Sequence, residues 1–294
     1  MKTVLSWAWV IAAAIVVPAA AQETVTGRLS DSMCGGSHQA KAAGTPTAHA
    51  EERLTDRQCL IACINALATY VLVDQRGQVI PIANQDAMGL PLYAGRPVKL
   101  TGERRADALL VTKVEAIPAH LHIGHVMTNW RDTPGTRGFL PVAIDEARLA
   151  VLHARLAAKG ARLDDIQLHA GHVLSALDPT VEPGAPGAAG YGVKKAAAGA
   201  RQHLDFAAGS DGATSNIMTH GGHVSSLLAT VLQWVDQAIA AAQKIRGTSD
   251  AGEAAGAAAD LAALTERISD EGLQQAQARM ALLLKAEGLA GAPR

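Results

Sequence analysis

Aromatic side chains are nearly missing from this 294-residue chain: two Phe, three Tyr and four Trp, 3% in all. So few rings do not suggest a large aromatic-lined cavity. Charge of one sign is missing too. Lys and Arg total 26 against 27 Asp and Glu, a formal net charge of −1, so the sequence makes no electrostatic case for nucleic acid as a partner. Cysteine is scarce, with Cys34, Cys59 and Cys63 all in the first quarter. No Cys-x-x-Cys-His occurs, which excludes covalent c-type haem by that motif. Glu-x-x-His pairs of the sort used by di-iron carboxylate proteins are also missing. Beyond the N-terminus no segment reads as apolar enough to span a bilayer.

What is there begins with MKTVLSWAWVIAAAIVVPAAAQ. Lys2 is a short positive region, residues 4–17 are apolar, and Ala19-Ala20-Ala21 precedes Gln22. That pattern predicts a secretory signal peptide over residues 1–21. The expectation is a secreted, periplasmic chain with no stable membrane span after cleavage. Its compartment would be oxidising, where disulfides persist.

Two halves follow with different patterning. Residues 22–117 read as strands: ETVTGRLS alternates in period two, TYVLVDQRGQVIPI is a hairpin turning near Gly77, and PVKLTGERRADALLVTKVEAI gives two more strands. Between them LTDRQCLIACINAL carries helical spacing with Thr55 or Asp56 as its cap. Five short strands and one helix predict a small, closed OB-like β-barrel. Residues 118–294 read as an all-α antiparallel bundle of repeated helical hairpins. In this half Pro141 reads as the first residue of a helix running to Lys159. Trp130 and Trp234 read as packing residues, and residues 250–294 as structural helices without a chemical motif.

The segments SDSMCGGSH at 30–38, DRQCLIACINALATYVLVD at 56–74 and PVKLTG at 97–102 carry a resemblance. They look like a small secreted β-barrel domain that recurs in bacterial envelope proteins, with an Asp-Ser-x-Cys-Gly-x-x-His then Cys-x-x-x-Cys pattern. It covers a third of the chain and implies no activity. Cys34, His38, Cys59 and Cys63 form a candidate Cys3His metal set. The competing reading is one disulfide from Cys34 to a helix cysteine, with a thiol left over. His49, in a polar loop, reads as solvated.

The helical half holds the stronger signal. His-x-Gly-His-Val stands three times, at 122–126, 169–173 and 220–224. His at i and i+3 project from one helix face, a workable spacing for metal ligands. A helix-interior Gly costs up to about 1 kcal/mol against Ala, so the three motif glycines predict close approach of a neighbouring helix backbone. Between copies stands a single histidine in a matched setting, His153 in HARLAA and His203 in HLDFAA. If the helices alternate in direction, His153 meets His169 around one turn and His203 meets His220 around the next. The expectation is one shared layer of eight histidines: His122, His125, His153, His169, His172, His203, His220 and His223.

Neutral imidazole is the commonest metal ligand. An all-nitrogen set favours copper or zinc, with iron less suited. Met127 and Met218 nearby would soften the site towards copper, and Asp205 is a candidate supporting carboxylate. The expected function is metal storage, delivery or redox, with a periplasmic redox or metal-trafficking protein as partner. Two alternatives stand: a b-type haem protein with two histidines on the iron, or a metal-free interaction module with a structural, pH-sensitive histidine layer. An enzyme with an open metal centre would need a general base, and none stands beside the motifs.

Overall fold

The computed structural model describes residues 21–37, 54–74 and 76–289. The expected signal peptide, His38 and His49 lie outside the described residues.

The first half forms β1 (Gln22–Asp31), α1 (Asp56–Asn65), β2 (Tyr70–Asp74), β3 (Val79–Pro81), β4 (Pro97–Arg105) and β5 (Ala108–Glu115). Every ladder is antiparallel, in the order β3-β2-β1-β4-β5. Period-two patterning decides the faces: along β4, Val98, Leu100 and Gly102 point inward while their neighbours are half-buried. The sheet is not closed, contrary to the barrel expectation. Its two edges meet at a single parallel bridge, Ile82 to Leu109, because β3 has only three residues and cannot extend a ladder along β5. Thr55 caps α1 and Gln58 completes a capping box.

The second half is helical: α2 (Pro118–Met127), α3 (Phe139–Ala158), α4 (Leu163–Leu177), α5 (Val193–Gly209), α6 (Gly222–Gly247), α7 (Ala251–Glu266) and α8 (Gln275–Ala286). Single π-type segments, Ile217–Gly221 and Arg267–Gln274, lead into α6 and α8. Gly138 caps α3, so Phe139 is the first helical residue and Pro141 the third, two places later than expected. Proline fits there because the N–H groups of the first turn have no helical partner. The helix from Ile217 to Gly247 runs 31 residues and is apolar enough, by length and composition, to cross a membrane. The sequence reads here as one long helix and not as a span. A core helix has the same character, and α6 packs against α4, α5 and α7.

The apolar interior falls into two separate clusters, one inside the sheet around Leu29, Leu72 and Leu100, the other among the helices. In α3 and α5 the buried stripe is mostly alanine: Ala147, Ala150, Ala154 and Ala157, and Ala196, Ala200 and Ala207. Small side chains let helices approach closely enough for imidazoles on adjoining stripes to meet. Two buried contacts pin the loop between α4 and α5. Glu146 accepts the N–H groups of Tyr191 and Gly192, and Ser175 accepts that of Ala185.

Candidate metal centres

The histidines take their places from one rule applied four times. In α2 the buried stripe is Ala119, Ile123 and Val126, and His122 and His125 flank it. In α4 the stripe is Ile166, Ala170, Val173 and Leu177, and His169 and His172 flank it at the same offset. His153 precedes buried Ala154, and His203 precedes buried Leu204, at matching points of their own stripes. Each imidazole thus sits at the edge of an apolar seam.

Topology then decides which edges meet. The α3–α4 hairpin brings His153 against His169 and His172, as the equal-height expectation has it. His203 on α5 does not meet His220. It meets His122 and His125, because α5 packs on α2. The start of α2 is fixed there by several contacts. Ala119 N–H donates to Asp211 C=O at 3.3 Å, Asp211 pairs with Lys99 of β4 at 2.5 Å, and Gly212 lies against Ile117 where a Cβ would overlap it. His120, outside the expected set, faces away from the cluster and donates Nε2–H to Glu287 at 2.8 Å. Glu287 also accepts the Thr214 hydroxyl at 2.5 Å. Burial raises the Glu287 carboxyl, but His120 and Thr214 outweigh it and hold the group below its usual range.

The eight histidines therefore do not form one layer. Six make two triads, His122/His125/His203 (triad A) and His153/His169/His172 (triad B), with one ligand atom from each residue within 4.8 Å of the others. Triad A sits at the start of α3, where Phe139 stacks on His203 at 5.4 Å. Triad B sits fourteen residues along the same helix, about 21 Å away at 1.5 Å per residue. His220 and His223 join no third histidine among the described residues. The π-type turn over Ile217–Gly221 changes the phase of this third copy, leaving His220 half-buried and His223 exposed.

Geometry within the triads suits metal. Nδ1 of His203 lies 3.0 Å from Nδ1 of His122 and 3.3 Å from Nδ1 of His125. Nδ1 of His153 lies 3.2 Å from Nδ1 of His169. A neutral imidazole has one N–H and one lone pair, so His203 Nδ1 makes at most one good hydrogen bond with two such neighbours. A cation between them satisfies all three lone pairs. With Zn–N near 2.0–2.1 Å, ligand nitrogens in a tetrahedron stand about 3.3 Å apart, and the observed separations match. Nδ1 of His172 is buried without a partner. Three nitrogens leave a coordination position for water or another ligand. His125, together with Gly124 and His120, lines a cleft of about 1180 Å³ that reaches Arg148 and Leu284.

Four of the six imidazoles are pushed towards the neutral form that binds metal. Burial, then the charges His125 and His122 would carry, push His203 down to about 4. Burial and His122 lower His125. At triad B burial is again first: it lowers His153, helped by His172 and His169, and lowers His172, helped by His169 and Arg246 and opposed by Glu182.

Three sequence readings change. The motif glycines do not admit a helix backbone: a Cβ on Gly124 or Gly222 meets nothing within 4 Å, and one on Gly171 meets the Arg246 guanidinium at 3.0 Å. Asp205 accepts from Ser225 at 2.7 Å and belongs to the α5–α6 seam; Met127 lines the cleft beside His125 and Met218 is exposed. The few aromatics are concentrated at triad A. Trp130 packs on His125 at 4.7 Å and His203 at 4.8 Å, and both phenylalanines of the chain, Phe139 and Phe206, touch His203. Trp130 stands five residues after His125, and that proximity was the available signal.

The three cysteines are unbridged, which sets the disulfide reading aside. Cys34 Sγ lies 3.8 Å from Cys59 and 3.7 Å from Cys63. With Zn–S near 2.3 Å, sulfurs around a tetrahedral ion stand about 3.8 Å apart. The turn carrying Cys34 is shaped by Asp31, whose carboxylate accepts the N–H groups of Met33 and Cys34. Burial, then the neighbouring thiols, push Cys34 up to about 12, and burial raises Cys63, so a cation binding at these two must displace their protons.

A comparison with protein-family models, curated proteins and solved structures finds nothing that matches this chain.

Proposed function

We propose that this chain is an exported transition-metal-binding protein that holds one ion in each histidine triad and a third at Cys34, Cys59 and Cys63. Copper and zinc are the ions of choice, and storage, delivery or redox is the role. The observation that carries the reading is the recurrence of the triad. The same pentapeptide and the same companion histidine converge twice, on different helix pairs, with nitrogens at coordination spacing. A structural hydrogen-bonded cluster accounts for this less well, because His203 Nδ1 can make a good bond to only one of its two neighbours and His172 Nδ1 is left without a partner.

The sheet half serves in this reading as an OB-like unit carrying the thiolate site. Its strand order and the parallel bridge between its edges support a partly open five-stranded barrel. The helical half serves as a bundle. Haem fits less well: a porphyrin must lie between its two axial imidazoles, and here the facing nitrogens are in contact. The coordination position left beside three nitrogens favours one second reading, metal-assisted hydrolysis at triad A, where His125 opens on the cleft.

The test is metal content and an absorption spectrum of protein purified from its native source without chelator. Stoichiometric copper or zinc with no Soret band supports the proposal. A Soret band replaces it with haem binding. Protein that takes up no ion, and gains no stability when ions are added, overturns it.

A further inference from the structure

The surroundings of the two triads differ in charge. Triad A is walled by rings: Trp130 on His125 and His203, Phe139 on His203, and Phe206 on His122 at 5.4 Å. The groups that act on His125 and His203 are burial and the other histidines of the triad, with no carboxylate among them. Among the described residues triad B has no such rings. The loop between α4 and α5 brings Glu182 to its edge, paired loosely with Arg246 at 3.6 Å. The Arg246 guanidinium packs against Gly171, next to His172. Both partners of that pair are partly exposed.

Resting on the proposal that the triads hold metal, we infer that they divide by the charge of their ion. The aromatic-walled triad A takes monovalent copper, and triad B, with Glu182 at its edge, takes a divalent ion. Three neutral imidazoles add no charge, so each centre carries the full charge of its ion. The desolvation cost of an ion grows with the square of its charge, so a divalent ion at triad A costs about four times what a monovalent one does. Among the described residues no carboxylate acts on His125 or His203 to offset the difference. Copper(I) also accepts three nitrogens without a fourth ligand; the rings around triad A supply none, so a fourth could come only as water from the cleft beside His125. At triad B, Arg246 can turn out to solvent and leave the Glu182 carboxylate to the ion and to the outer N–H of His172. A carboxylate behind a ligating imidazole orients the ring and strengthens it as a donor.

The experiment uses the full chain and its His203→Ala and His153→Ala variants. Each is equilibrated under argon with excess copper(I) and zinc(II), desalted, and assayed for both elements. Cys34, Cys59 and Cys63 contribute equally to all three and cancel in the differences. H203A should lose about one copper per chain and keep its zinc, and H153A about one zinc while keeping its copper. Losses shared between both metals in either variant, or exchanged between variants, overturn the division while the triads remain metal centres. Unchanged total metal in both variants overturns the metal reading and the division with it. Should a buried-histidine variant fail to fold, two exposed positions give the same answer. Phe206→Glu should raise zinc at the expense of copper, and Glu182→Gln should weaken zinc binding about tenfold with copper unchanged. A constant copper-to-zinc ratio in both overturns the division.

Discussion

Triads A and B are written with the same letters and assembled by different routes. Triad B closes within one hairpin, α3 to α4, over sixteen residues from His153 to His169. Triad A closes across 81 residues, from His122 on α2 to His203 on α5. Helical spacing puts two imidazoles on the edge of a buried stripe in both cases, but helix packing chooses the third. The difference teaches that a repeated motif fixes half a site, and that the fold supplies the rest. It also explains the surroundings: the α2–α5 contact gathers Trp130, buried Phe139 and half-exposed Phe206 around His203, whereas a hairpin partner lies beside a surface loop.

The largest effect should come from breaking the aromatic wall that only triad A has. Phe139 is buried and stacks on His203. Phe139→Ala should destabilise the metal-free chain by about 3–5 kcal/mol, as a buried Phe→Ala cavity does. Urea unfolding measures it. A cost under about 1 kcal/mol would mean that the wall is loose and that the rings do not shield triad A.

A second contrast lies in protons. His203 titrates at about 4 in the folded chain against 6.5 for the free group. Between those values the unfolded chain holds a proton the folded one lacks. Stability from this group therefore rises with pH through the window and is lost as pH falls from 6.5 towards 4. The whole effect is at most about 3 kcal/mol. His153 and His172 are lowered too, so triad B acts with the same sign. His203→Leu should flatten the pH dependence of metal-free stability more than His153→Leu does. Equal flattening would mean that the ring-walled triad holds its histidine neutral no more firmly than triad B does.

How much of this was legible in sequence follows from what each signal reports. Local patterning marked the strands, a cap at Thr55 or Asp56, the pairs His122/His125 and His169/His172, and the meeting of His153 with His169, because all of these are decided within one helix or one hairpin. The partner of His203 was not legible. Matching heights around the turn near Gly209 pointed to His220, and the docking of α2 on α5, fixed by Asp211, Gly212 and Ile117, rests on contacts from distant parts of the chain. Sheet closure failed for a related reason: the alternation in TYVLVDQRGQVIPI marks strands but not that β3 stops after Pro81. The gathering of Trp130, Phe139 and Phe206 around one histidine is tertiary as well. Scarcity of rings said nothing about their distribution.

The smallest effect concerns the motif glycines, and it separates two explanations of why they recur. A Cβ on Gly124 meets nothing, while one on Gly171 meets the end of the Arg246 side chain. If the glycines only cost helix propensity, Gly124→Ala should stabilise metal-free protein by about 1 kcal/mol. Gly171→Ala should gain less, because Arg246 must move and its pairing with Glu182 is disturbed. Denaturant midpoints of the two variants test this ordering. Metal-free stability alone does not explain a glycine kept at an open position, so the informative comparison is with ions present. Gly124 lines the cleft beside His125, and a methyl group there narrows the approach to triad A without touching a ligand. G124A should therefore be more stable when empty and slower to exchange its triad A ion, with triad B unaffected. Unchanged exchange at triad A would leave Gly124 with no part in access and place the ion's path on the Phe206 side.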